Sequence, residues 1–108
     1  MSWTSLCELE ELTPGEGKYV EIGGFGLAVF LSDGNVTVMD NTCPHAGGNM
    51  AGGFVEEGCA VCPWHYWAFR LDSGQLKDSP GVMVSTYKTR MLQREGKPTL
   101  VQAELPMY

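Results

Sequence analysis

Two short segments hold the residues whose types and spacing could do chemistry. Cys43-Pro44-His45 comes first, and sixteen residues separate His45 from the second segment, Cys62-Pro63-Trp64-His65. The chain has two histidines, and each lies within three residues of a cysteine. A thiolate and a neutral imidazole delivered twice from short loops make a four-ligand set for a soft or borderline metal centre. Finger-like zinc sites usually take both sulfurs from one segment and both nitrogens from another, whereas here each segment supplies one of each. That mixing suits a binuclear centre in which one metal takes the two thiolates and the other the two imidazoles. Cys43, His45, Cys62 and His65 are the candidate metal and cofactor ligands, with a zinc-stabilised interaction module as the alternative reading.

Cys59-Ala60-Val61-Cys62 is also C-x-x-C, a spacing used by redox disulfides and zinc ribbons. A thiol enzyme with a Cys59/Cys62 pair is therefore a further reading. Against it, Cys62 belongs to the first motif and Cys59 falls in a candidate strand, where a small buried thiol is ordinary. Cys7 reads the same way. Trp64, Tyr66, Trp67 and Phe69 form an aromatic run that either shields the site from water or packs the core. Strand alternation sends part of that run inward and leaves Trp64 and Tyr66 nearer the rim, where a partner could meet them. Met50 fits rim or core. Gly47, Gly48, Gly52 and Gly53 read as backbone turns, since no helix or basic residue accompanies them as an anion site would require.

The elements that must position these segments are short strands. Fourteen glycines and six prolines punctuate stretches rich in Val, Phe, Tyr and Thr, and no window keeps a helical period. Candidate strands are Thr4 to Cys7, Lys18 to Ile22, Gly26 to Leu31, Val36 to Met39, Cys59 to Val61, Trp67 to Leu71, Val82 to Tyr87, Thr89 to Gln93 and Leu100 to Gln102. A helical turn is weakly signalled at Leu9 to Leu12. Thr13-Pro14-Gly15-Glu16-Gly17, Gly23-Gly24, Ser32-Asp33-Gly34-Asn35, Glu56-Glu57-Gly58, Asp72-Ser73-Gly74 and Glu95-Gly96-Lys97-Pro98 favour tight reversals. The expected fold class is all-β, a small antiparallel sandwich or barrel of one domain over residues 1–108. Two ligand loops, about 41–50 and 62–67, project from it.

Net charge is −6 and uneven: residues 1–69 carry nine acidic groups and one lysine, residues 70–108 six basic and four acidic groups. This disfavours nucleic acid and anionic membrane and favours a partner with a basic docking surface. No apolar run approaches the roughly 20 residues that span a bilayer, and the N-terminal residues lack a secretory pattern, so the expected location is cytoplasmic. In a reducing compartment four cysteines read as ligands or buried thiols rather than disulfides.

With these residues in view, the chain resembles the Rieske-type iron-sulfur proteins. The likeness covers most of its length: short strands before the site, Cys43-Pro44-His45 with its glycine-rich continuation, Cys62-Pro63-Trp64-His65, the Asp72-Ser73-Gly74 turn and Pro80-Gly81. The resemblance implies one 2Fe-2S cluster, with Cys43 and Cys62 on the inner iron and His45 and His65 on the outer iron. Pro80-Gly81 matches a family loop that lies over the cluster. Two imidazoles in place of two thiolates remove two negative charges, so an added electron costs less than in an all-cysteine cluster.

Departures from the family pattern imply a subtype. Rieske proteins of respiratory and photosynthetic complexes carry an extra cysteine in each loop, and Gly48 and Trp64 stand at those positions. They also place Ser and Tyr donors where this chain has Trp67 and Phe69. Fewer donors imply a potential in the lower Rieske range, about −150 mV. What remains resembles soluble Rieske ferredoxins, either the ferredoxin component of a ring-hydroxylating oxygenase or the small subunit of NAD(P)H nitrite reductase, with the wording and length closer to the second. In either role the chain passes single electrons from a reductase to a terminal oxidoreductase, the oxygenase or the nitrite reductase large subunit. No catalytic residue is expected, because the sequence offers no substrate pocket, no dinucleotide fingerprint and no third histidine for a mononuclear iron site.

Overall fold

The computed structural model describes residues 2–42, 48–63 and 66–106. Turn chemistry sets its local order. Gly23 and Gly24 reverse the chain at φ of 56° and 87°, and Asp33 and Gly34 do so at 50° and 79°. Both pairs are in the left-handed region that two-residue hairpins require. They join β2 (Gly17–Ile22), β3 (Phe25–Ser32) and β4 (Asn35–Asp40) into a meander. β10 (Thr86–Tyr87) adds to β4 and completes a four-stranded sheet of order β10-β4-β3-β2.

Two further antiparallel sheets flank this one. β1 (Ser2–Glu8), β12 (Lys97–Leu105) and β11 (Thr89–Arg94) form the first, in the order β1-β12-β11. The second carries β5 (Phe54–Glu56), β6 (Cys59–Val61), β7 (Ala68–Arg70), β8 (Gln75–Leu76) and β9 (Ser79–Met83) in chain order. Single 3-10 turns occupy Leu9–Glu11 and Met50–Gly52.

The four-stranded sheet is the middle layer. From β3 and β4, Leu27, Val29 and Val38 pack with Cys7, Val101, Ala103 and Leu105, while Ala28, Phe30 and Met39 pack with Ala60, Phe69 and Leu76. A strand buried on both faces reads as a continuous apolar run, which is why Leu27-Ala28-Val29-Phe30 does not alternate. Burying one side chain the size of Phe30, which is 0% exposed, contributes about 1.5–3 kcal/mol.

The architecture agrees with the all-β expectation, and particular spans differ. Val82 to Tyr87 is two strands, because the chain changes sheets at Val84 and Ser85: the Val84 amide donates to Gly74 O and the Asp40 amide to Ser85 O, each at 2.9 Å. β5 and β8 are additional strands of two or three residues. The turn at Leu9–Glu11 forms with Glu8 and Glu11 as a reciprocal capping box. Pro80 and Gly81 lie within β9, an edge strand paired to β8, rather than in a free loop.

Candidate metal centre

The second ligand segment is the tip of a hairpin. β6 and β7 pair through Val61 and Ala68, and one step further the Cys62 amide donates to Trp67 O at 2.8 Å, closing the loop across its base. Alternation along β6 turns Ala60 inward and Cys59 and Val61 outward, and beyond the strand Cys62 also faces in. Cys62 is 0% exposed and packs in the cluster that holds Met50, Ala60 and Phe69. Trp67 is half-buried against the same cluster, and Tyr66 is 72% exposed at φ 56°. The aromatic run thus divides as alternation requires, Phe69 in the core and Tyr66 at the rim. Trp64 and His65 lie outside the described residues.

The first segment leaves β4 through Asn41 and Thr42. Its base is closed by a bridge between Thr42 and Asn49. Asn41 receives two further bonds: the Met50 amide donates to its carbonyl and the Ala51 amide to its side-chain Oδ1, both at 2.8 Å. Its own amide donates to Gly26 O at 2.9 Å, fastening this junction to β3. Met50 is fully buried, so it belongs to the core. Cys43, His45 and Gly47 lie outside the described residues.

The bases of the two segments meet across glycines. A Cβ on Gly52 would sit 3.3 Å from Asn49 Nδ2 and 3.8 Å from Pro63 Cγ, and a Cβ on Gly53 would overlap the Val61 carbonyl oxygen. One on Gly17 would lie 2.5 Å from Ala51 O. Gly53 is therefore demanded by close backbone approach rather than by a left-handed turn. Asn41 and the packing roles of Gly17 and Gly53 escape sequence reasoning because their partners are backbone atoms of distant residues.

Of the four candidate ligands, Cys62 lies within the described residues, and no group of three or more His, Cys, Asp or Glu gathers among those residues. Cys59 and Cys62 leave β6 toward opposite faces, which does not bring their sulfurs together as a disulfide needs. Cys59 is a buried free thiol lining an open groove of about 370 Å³ on the outer face. Cys7 is also a buried free thiol, its pKa pushed up first by burial and then by Glu11. Glu57 lies in the β5–β6 turn, at the opposite end of β6 from Cys62, and faces Lys77 at 3.6 Å. The donor set itself, two cysteines and two histidines with one cysteine fully buried among apolar side chains, fits a cluster that needs two thiolates and two imidazoles.

The family model for the Rieske [2Fe-2S] domain matches residues 2–88. The chain belongs to the Rieske [2Fe-2S] family. Its cofactor is a Rieske-type 2Fe-2S cluster. Among solved structures, this Rieske chain is similar to a Mycobacterium tuberculosis protein assigned as an NADH-dependent nitrite reductase small subunit. They are 31% identical with a TM-score of 0.82, over 98% of this chain and 97% of that one. It is also similar to the ferredoxin of Sphingomonas yanoikuyae B1, at 27% identity and a TM-score of 0.81, over 97% of this chain and 100% of that one. Cholesterol 7-desaturase of Hemicentrotus pulcherrimus is 34% identical over 98% of the Rieske chain, which spans 21% of the desaturase. The Rieske chain covers 15% and 13% of two further curated relatives, so it matches a minor part of each. No helix among the described residues is long and apolar enough to cross a membrane.

Proposed function

We propose that this Rieske chain is a one-electron carrier between a reductase and a terminal oxidoreductase, with Cys43 and Cys62 holding one iron and His45 and His65 the other. The observation that carries the ligand assignment is the β6–β7 hairpin, which buries Cys62 completely and packs it with Met50, at the base of the segment bearing Cys43 and His45. When bound, the cluster accepts and releases one electron at a time without group transfer. The chain's own part is to keep the thiolate end dry: Cys62 shares one buried apolar cluster with Ala60, Phe69 and Met50, and its amide donates to the Trp67 carbonyl. Residues 1–108 act as one cluster-binding domain in this reading, working in the cytoplasm, where the buried thiols Cys7 and Cys59 stay reduced.

The terminal partner we propose is the large subunit of an NAD(P)H nitrite reductase, which the 31% identity across nearly the whole of both chains supports. An oxygenase ferredoxin is the second reading, favoured by the full-length likeness to the Sphingomonas ferredoxin. The test begins with metal and acid-labile sulfide analysis, expected to give two irons and two sulfides per chain. One zinc and no sulfide would overturn the assignment in favour of the interaction module. The reduced protein is then mixed with a nitrite reductase large subunit and with a ring-hydroxylating oxygenase, and reoxidation is followed by visible absorbance. Faster reoxidation by the oxygenase would replace the first partner by the second.

A further inference from the structure

We infer that Asn41 is a positioning residue for the cluster, acting through the 3-10 turn Met50–Gly52 to fix the spacing between the two ligand segments. The inference rests on the ligand assignment proposed above. The first amides of a helical turn have no partner within the turn and must find one elsewhere. Here Asn49, the residue preceding the turn, makes no side-chain cap. Asn41 takes that place from ten residues away, accepting the Met50 amide on its carbonyl and the Ala51 amide on Oδ1, both at 2.8 Å. Ala51 is 8% exposed, so without Oδ1 its N–H is left with little access to water.

The other end of the turn is equally constrained. The Gly53 amide donates to Met50 O at 3.0 Å, and Gly53 lies so close to Val61 that a Cβ there would overlap the Val61 carbonyl oxygen. Val61 precedes Cys62, and Asn41 stands two residues before Cys43. The turn is thus a bracket with one end on each ligand segment, and Asn41 Oδ1 fastens it from a side chain. A shift of the bracket moves one cysteine relative to the other, and a cluster tolerates little change in its ligand positions.

The experiment compares wild type, Asn41→Ala, Asn41→Asp and Val101→Ala. Aspartate keeps an oxygen at the Oδ1 position, and Val101 lies in the other core cluster. In the holoprotein, Asn41→Ala is expected to release its cluster on the order of tenfold faster and to shift the g-values of the reduced form. Asn41→Asp is expected to restore both within about twofold, and Val101→Ala, whatever its loss of stability, to leave the g-values unchanged. In the apoprotein, hydrogen exchange at Met50 and Ala51 is expected to quicken in Asn41→Ala and recover in Asn41→Asp, a readout available even if the alanine variant never assembles a cluster. Wild-type g-values and exchange in Asn41→Ala would overturn the inference, as would equal spectral change in Val101→Ala. A wild-type protein without iron and sulfide would instead remove the ligand assignment, with the exchange comparison still deciding whether Asn41 fastens the turn.

Discussion

The Tyr87 phenol donates to Asp40 Oδ1 at 2.6 Å across forty-seven positions of sequence, tying β10 to the end of β4 from which the first ligand segment departs. Burial, and after it the Asp40 carboxylate, pushes the Tyr87 pKa above the ordinary tyrosine range. The folded state therefore keeps this proton to higher pH than the unfolded state does. Its contribution is complete below the unfolded value of about 10 and is lost as pH climbs from there through the folded pKa. Chemical denaturation at pH 8 and at pH 10.5 is expected to show a fall in stability that Tyr87→Phe lessens. At pH 8 the same variant should be about 1 kcal/mol less stable than wild type. An equal alkaline fall in both proteins would assign the loss to other groups.

Cysteine replacements should separate by face. Cys62→Ser and Cys43→Ser are expected to abolish the visible absorbance of the assembled protein. Cys59→Ser, on the outer face of β6, and Cys7→Ser, in the other core cluster, should leave it nearly unchanged. Absorbance spectra of the four variants, normalised to protein, are the check. Equal loss in all four would mean that the ligands are misassigned.

Electron transfer with the cognate reductase should slow as salt rises. Glu56 and Glu57 stand at the far end of β6 from Cys62, a strand of three residues, hence about 10 Å along the chain. That is one Debye length near 0.1 M salt, so their field reaches the ligand loop at low ionic strength and fades above it. Stopped-flow rates across ionic strength are expected to fall for wild type and to flatten for Glu56→Lys combined with Glu57→Lys. An unchanged profile in the double variant would point to apolar docking through Tyr66.

Gly74 offers a test of the sheet switch. It sits at φ 79°, with Val84 donating to its carbonyl, and a Cβ would run into the Val84 carbonyl oxygen. Gly34 has the same φ with open space around it. Gly34→Ala should cost about 1 kcal/mol from backbone strain alone, and Gly74→Ala about 2–3 kcal/mol from strain and overlap together. Urea unfolding of both variants measures the difference.

The strands with strong turn signals were legible in the sequence, the β3–β4 hairpin most of all, because Asp33-Gly34 dictates its own geometry. β5 and β8 were not, since two or three residues show no alternation, and neither was the break between Met83 and Thr86, which depends on Gly74 and Asp40 far away. At the site, the ligand spacing singles out Cys62, and the structure places that residue buried at the hairpin base. Cys43, His45 and His65 rest on the same spacing and lie outside the described residues. Asn41 left no signal, because a side chain bonded to a backbone amide ten positions on does not constrain the residue type it meets.

The pairing of Met39 with Thr86 means that the ligand-bearing stretch departs and returns on neighbouring strands. The remaining two sheets can then close without regard to how long that excursion is. Doubling such an excursion adds only about 0.6 kcal/mol of closure entropy. The stretch is in this sense an exchangeable cassette, subject to one demand from the frame. Any replacement must bring an apolar face of its own, because Ala28, Phe30 and Met39 would otherwise open onto water.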